Sequence, residues 1–148
     1  MQVREILRVK GATLYTVTPQ QSLAFAIETM ADLDVGSLVV MESGKMVGML
    51  TFREVLQALK GGLSGQGSLV GDVMVKDPVT AFPDMDANDL RRLMIEKHSR
   101  YLPVVDDGTL MGVISFLDVA KAVLEEQSFE NRMLKSYIKN WPDDVPAT

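Results

Sequence analysis

The sequence predicts a mixed α/β (α+β) fold made of two tandem β-α-β-β-α repeats with pseudo-twofold symmetry, followed by a C-terminal amphipathic helix. Three observations predict it. Gly44, Gly48 and Val55 recur as Gly108, Gly112 and Val119, 64 residues further on. Thr16, Pro19 and Met30 recur as Thr80, Pro83 and Met94 at the same offset. Around each glycine pair, two apolar β-branched runs flank a tight turn and then give way to helical spacing. Two copies of one supersecondary unit bury each other's apolar faces and leave a cleft between them, where function is to be sought.

Each repeat opens with a short strand, Tyr15–Thr18 and Thr80–Phe82, that runs into a proline and then a helix. In the first helix Leu23, Ile27, Met30 and Leu33 fall near 3.6-residue spacing behind Ser22, an N-cap residue type. In the second, Leu90, Leu93 and Met94 follow Asp86 as cap, and Asp89 lies in the first turn, where a carboxylate suits the helix dipole. Two strands come next in each repeat: Ser37–Met41 and Met46–Thr51 around Glu42-Ser-Gly-Lys45, then Tyr101–Val105 and Leu110–Ser115 around Asp106-Asp-Gly-Thr109. Gly between apolar runs is the hairpin signal. A further helix ends each repeat, about Phe52–Lys60 and Phe116–Glu126. Gly61-Gly-Leu-Ser-Gly-Gln-Gly-Ser68 reads as the flexible joint. Phe129, Met133, Leu134, Tyr137, Ile138 and Trp141 predict a separate amphipathic helix over Phe129–Trp141, which Pro142 stops. The expected division is 1–62 for repeat 1, 63–69 for the linker, 70–126 for repeat 2 and 127–148 for the helix and tail.

Composition excludes several function classes. The 148 residues contain no cysteine and one histidine, His98. Disulfides, thiolate metal sites, cysteine nucleophiles and multi-histidine metal sites are ruled out, so no metal site is expected. A net charge of −5 argues against nucleic acid as the partner. A local basic pocket for a small anion remains compatible with it. No apolar run approaches the roughly 18 residues of a membrane span, and no apolar h-region follows the N-terminal Met-Gln-Val-Arg-Glu. The expectation is a cytoplasmic protein without a membrane partner.

At the end of each hairpin the chain reads Gly-h-h-[Thr/Ser]-x-x-[Glu/Asp]-h, where h is apolar: Gly48-Met-Leu-Thr51-Phe-Arg-Glu54-Val and Gly112-Val-Ile-Ser115-Phe-Leu-Asp118-Val. The hydroxyl falls at the strand-to-helix junction and the carboxylate one turn into the helix on the same side. This spacing is also that of a capping box, and a plain helix start satisfies it. Two instances at equivalent places favour a ligand site. The carboxylate accepts from ribose hydroxyls and the helix N-terminus faces phosphate, which together suit a nucleoside. Arg53, Lys76, Lys97, His98 and Arg100 are the candidate phosphate contacts; Lys76 and Lys97 read rather as solvated surface charges, His98 as a helix-end residue, and the guanidinium of Arg100 or Arg53 grips phosphate bidentately. The ten methionines read as core filler. No Gly-rich phosphate loop, metal cluster or nucleophile–base set is present, so no catalytic residue is assigned.

The duplicated unit, Val73-Met74 and the stretch Leu102-Pro-Val-Val-Asp-Asp-Gly-Thr-Leu-Met-Gly-Val-Ile-Ser-Phe-Leu-Asp118 resemble CBS domains, the tandem regulatory modules named after cystathionine β-synthase. The resemblance covers roughly residues 3–125. It implies a module with two clefts that binds adenosine-containing ligands (AMP, ADP, ATP, NAD or S-adenosylmethionine) and pairs into a homodimer. Stand-alone chains of this size with a tail helix resemble bacterial signal-transduction proteins. By the resemblance Asp118 is the ribose-binding acid and Ser115 the hydroxyl of the same motif. The base there is enclosed by Ala12, Thr13, Leu14 and Tyr15, with Val35, Gly36 and Ser37. In the other cleft Thr51, Arg53 and Glu54 meet Lys76, Pro78 and Val79, with Arg100 and Tyr101. Glu54 departs from the Asp usual in the family, and its carboxylate sits one methylene further out.

The expected function is a non-catalytic adenine-nucleotide sensor with no required cofactor, whose output goes to an effector protein or to the dimer. Two alternatives stand beside it: a structural dimerisation module with empty clefts, and an enzyme acting on a nucleotide.

Overall fold

The computed structural model describes residues 1–11, 13–62 and 67–139. The elements in chain order are α1 (Val3–Lys10), β1 (Thr16–Val17), α2 (Leu23–Leu33), β2 (Ser37–Glu42), β3 (Lys45–Thr51), α3 (Phe52–Lys60), α4 (Val70–Val73), β4 (Val75–Lys76), α5 (Ala87–Glu96), β5 (Tyr101–Asp106), β6 (Thr109–Ser115) and α6 (Phe116–Lys139). The repeat is visible down to single residues. β1 runs parallel to β2 with Val17 opposite Val40, and an isolated parallel bridge sets Ala81 opposite Val104 in the second half. Both hairpins turn through two residues of positive φ, Ser43 and Gly44 in one, Asp107 and Gly108 in the other. Positive φ at both central positions matches the right-handed twist of the flanking strands. Ser22 and Asp86 cap α2 and α5 as expected, accepting from the backbone N–H of Phe25 and Asn88.

The segment ahead of each repeat packs into the other one. Val3 and Ile6 of α1 are buried in the core of the second repeat, with Leu90, Met94, Leu102, Ile114 and Val119. Val70 of α4 is buried in the core of the first, with Leu23, Met30, Leu38 and Leu50. Backbone hydrogen bonds fix both crossings: Val3 N–H donates to Met85 O and Arg4 N–H to Pro83 O, while Val70 N–H donates to Gln21 O and Gly71 N–H to Pro19 O. β4 then adds to the edge of the first sheet, giving the order β1-β2-β3-β4, whereas β5 and β6 form a two-stranded sheet. The exchange ties two small cores into one body, and it sets the first repeat's leading segment beside the second repeat's helix.

Four expectations need correction. The strand expected over 15–18 is confined to Thr16–Val17, and that over 80–82 is the single bridge at Ala81. α1, α4 and β4 were not anticipated. The helices expected over 116–126 and from 129 are one continuous helix, α6, of 24 residues. Gln127 and Ser128 carry nothing that stops a helix, which needs Pro or a Gly-type cap. Trp141 and the Pro142–Pro146 stretch, and residues 63–66 of the expected joint, lie outside the described residues.

Candidate functional site: two clefts between the repeats

Each cleft forms where the helix start of one repeat faces the strand start of the other. The first has a volume of about 590 Å3, and Thr51, Arg53, Glu54, Pro78, Val79, His98, Ser99, Arg100 and Tyr101 line it. The second has about 570 Å3, and its walls include Lys10, Thr13, Leu14, Tyr15, Val35, Gly36, Ser37, Arg100, Tyr101 and Ser115. Both volumes lie in the ordinary range of small-molecule sites. Four expected residues are not among the lining. Asp118 is half-buried behind the wall of the second cleft, bonded to the lining residues Ser115 and Lys10. Lys97 ends α5 and is exposed. Lys76 pairs along β4 with Gly48 and is exposed at the sheet edge. Ala12 lies outside the described residues.

The two hydroxyl–carboxylate motifs are in different states. In the first, Glu54 is 7% exposed. Its Oε1 accepts from Thr51 N–H at 2.8 Å and from the Thr51 hydroxyl at 2.7 Å, and Thr51 Oγ1 accepts from Arg53 N–H at 3.3 Å. The longer side chain thus folds back on its own cap, and the Thr51 proton is spent on it. In the second, Asp118 Oδ2 accepts from Ser115 N–H at 2.9 Å, and Ser115 Oγ accepts from Asp118 N–H at 3.1 Å. Lys10, at the end of α1, donates to Asp118 Oδ2 at 2.7 Å and to Val113 O at 2.8 Å. Burial pushes the Asp118 carboxyl up, but the Lys10 ammonium and the Ser115 backbone and hydroxyl outweigh it and hold the group below its ordinary value.

Sequence reasoning missed Lys10, although its signal was present. Val3, Ile6, Leu7 and Lys10 share one helical face. A cation that continues an apolar stripe is aimed at the body rather than at solvent.

One wall is common to both clefts. Arg100 and Tyr101 border each of them. They stand at the start of β5, where the first repeat has Gly36 and Ser37 at the start of β2. A Cβ at Gly36 would overlap the Tyr101 hydroxyl and lie 2.7 Å from its Cζ and 3.3 Å from Phe52 Cε2. The absence of a side chain in one repeat therefore makes room for the ring of the other.

A duplicated unit with exchanged leading segments and two clefts set by hydroxyl–carboxylate helix starts defines a paired-repeat module. The chain belongs to the CBS domain family: the family's sequence model matches residues 3–61 and 70–125. It is 34% identical over 114 residues to the CBS domain-containing protein YhcV of Bacillus subtilis, covering 76% of this chain and 81% of that one. The CBS-domain containing protein ATU1752 of Agrobacterium tumefaciens superposes with a TM-score of 0.79 at 31% identity, over 82% of this chain and 98% of that one. Inosine-5′-monophosphate dehydrogenase of Nitrosopumilus maritimus is 31% identical over 126 residues, but that stretch is only 25% of the enzyme and 80% of this chain. The CBS domain pair of protein MJ0100, solved in complex with 5′-methylthioadenosine and S-adenosyl-L-methionine, shares the fold at a TM-score of 0.72 and 21% identity, over 85% of this chain and 98% of that one. Among the described residues no helix is long and apolar enough to cross a membrane.

Proposed function

We propose that this chain is a non-catalytic, adenine-nucleotide-binding regulatory module acting in the cytoplasm. One observation carries the reading: Ser115 and Lys10 of the second cleft's wall hold the carboxylate Asp118 between them at the start of α6, across from Thr13, Leu14, Tyr15 and Val35 of the other repeat. Ribose hydroxyls donate to Asp118. Phosphate takes the Ser115 hydroxyl, the N–H groups of the helix start and Arg100. The base lies against the apolar side chains opposite. The adenosine ligands of the MJ0100 pair support the same class of ligand, with AMP, ADP, ATP or NAD as the candidates. Because the cleft is shared by both repeats, a ligand that contacts both changes their relative rigidity or angle, and an effector protein reads the change.

The proposed assembly is a homodimer. Phe52, Leu56 and Leu59 on α3, and Leu117, Leu124, Phe129, Met133 and Leu134 on α6, are between 49% and 66% exposed, and a second copy would cover these helix faces. A structural reading, with the dimer as sole function, draws support from the first cleft alone, where Glu54 is buried and engaged by Thr51.

Thermal melting with AMP, ATP, NAD and S-adenosylmethionine tests the proposal. A ligand at 100 times its Kd stabilises by about 2.7 kcal/mol, which for a chain of this size raises Tm by roughly 5–11 °C. No shift with any of the four at millimolar concentration would refute it.

A further inference from the structure

The Lys10–Asp118 pair places a cation of the chain itself where the ligand's ribose is proposed to bind. Lys10 Nζ and Ser115 N–H are both on Oδ2, so two of the carboxylate's roughly four acceptor positions are already taken. Lys10 lines the cleft and Asp118 lies directly behind it, with side chains 34% and 24% exposed. Exposed ion pairs of this kind contribute little and separate readily. Lysine carries a compact ammonium on a flexible four-carbon stem, so the charge can move within the cleft while α1 stays anchored by Val3 and Ile6. The first cleft has no equivalent. α4 stops at Val73, the chain passes directly into β4, and among the described residues no Lys or Arg pairs with Glu54.

We propose that Lys10 is an internal counter-ion that sets the ligand charge the second cleft accepts. This rests on the adenine-nucleotide reading and goes further, to which adenine compounds bind there. In the empty cleft Lys10 neutralises Asp118. When a nucleotide binds, the ribose hydroxyls take over acceptor positions on Asp118 and the ammonium transfers to the phosphate, beside Ser115 and Arg100. No charge is left unpaired at either stage. A neutral nucleoside takes the same carboxylate but offers the displaced ammonium no anion, and an unpaired charge at a half-dry site is costly. The second cleft therefore selects phosphorylated adenosine over adenosine itself, and Lys10 is the specificity-determining residue.

The test is calorimetric titration of AMP and of adenosine into the wild type, Lys10→Met and Lys10→Arg, with Lys10→Met repeated in an Asp118→Ala background. Losing one charge-assisted contact to phosphate weakens AMP roughly tenfold in Lys10→Met. Adenosine should bind that variant equally well or more tightly, so the AMP-over-adenosine preference narrows about tenfold or more. Lys10→Arg retains the charge and should retain the preference, which separates the effect from any loss of folding. In the Asp118→Ala background Lys10→Met should no longer improve adenosine binding, because no carboxylate is left to compete for. An unchanged preference in Lys10→Met, or equal weakening of both ligands, overturns the inference while leaving nucleotide binding intact. If the wild type binds neither compound at millimolar concentration, the nucleotide reading fails first and the inference falls with it.

Discussion

Replacing Asp118 with Ala separates the ligand role of this carboxylate from its structural one, and the structure sets the size of each. On the structural side the side chain makes two contacts, an acceptance from Ser115 N–H and an ion pair with Lys10. Losing the first leaves one helix-start donor to water, a cost near 1 kcal/mol for capping interactions. The second is partly exposed and contributes about 0.2–1 kcal/mol. The sum, about 1–2 kcal/mol, is small beside the 5–15 kcal/mol of an ordinary domain, and lowers Tm by roughly 2–8 °C. On the ligand side the variant removes a charged acceptor for the ribose hydroxyls. Hydrogen bonds to charged groups contribute about 1.5–3 kcal/mol, so nucleotide affinity should fall roughly 10- to 150-fold. Calorimetry with AMP on a sample whose melting curve remains cooperative reads both quantities. Unchanged affinity in a folded Asp118→Ala protein would refute the assignment of the ribose site. A protein that fails to fold would refute the partition between the two roles.

Asp118 is held below its ordinary value, so its contribution to stability is present above the unfolded value of 3.8 and is lost as pH falls through the lower folded value; in acid melting curves Asp118→Asn should lose less stability over that range than wild type, and parallel curves would contradict this. Gly36→Ala forces the Tyr101 ring out of the wall common to both clefts; overpacking of this kind costs about 1–3 kcal/mol, and Gly36→Ala with Tyr101→Ala should recover part of the lost Tm, whereas no recovery would show that Tyr101 is not the obstacle. The clefts should be unequal, with Glu54→Ala costing AMP less affinity than Asp118→Ala because Glu54 is already engaged by Thr51; an equal or greater cost would reverse the ranking. Truncation after Gln127 removes the apolar face of Phe129, Met133 and Leu134 and should shift the oligomer or the melting temperature; unchanged light-scattering mass and Tm would count against the proposed dimer with tail-helix contacts.

The parts of the fold legible in the sequence are those with local signals. The hairpins announce themselves through Ser43-Gly44 and Asp107-Gly108 between β-branched runs, and α2 and α5 through Ser22 and Asp86 ahead of helical spacing. The illegible parts are short and depend on distant partners. α4 has four residues and β4 two, too few for any periodicity, and they exist because the first repeat's core and edge receive them. α1 has the apolar spacing of a helix, but nothing in it says that its partners lie some 80–120 residues away. The break expected before Phe129 came from reading two apolar stripes as two helices, although no residue between them ends one. At the site, Thr51, Glu54, Ser115 and Asp118 were legible because the motif occurs twice. The residues opposite them came from family resemblance. Lys10, which meets Asp118, has no motif, and only its position on the buried face of α1 marks it. The different bonding of Glu54 and Asp118 also escaped the sequence, since a capping box and a ligand site share one spacing.

Native mass spectrometry of the purified protein, before and after addition of AMP, reads nucleotide occupancy and subunit number together. The expected species is a dimer that carries a mass increment of an adenine nucleotide, acquired during purification or on addition, and that loses the increment in Asp118→Ala. A species that stays free of nucleotide at millimolar AMP, or an increment that Asp118→Ala retains in full, would contradict the proposed function.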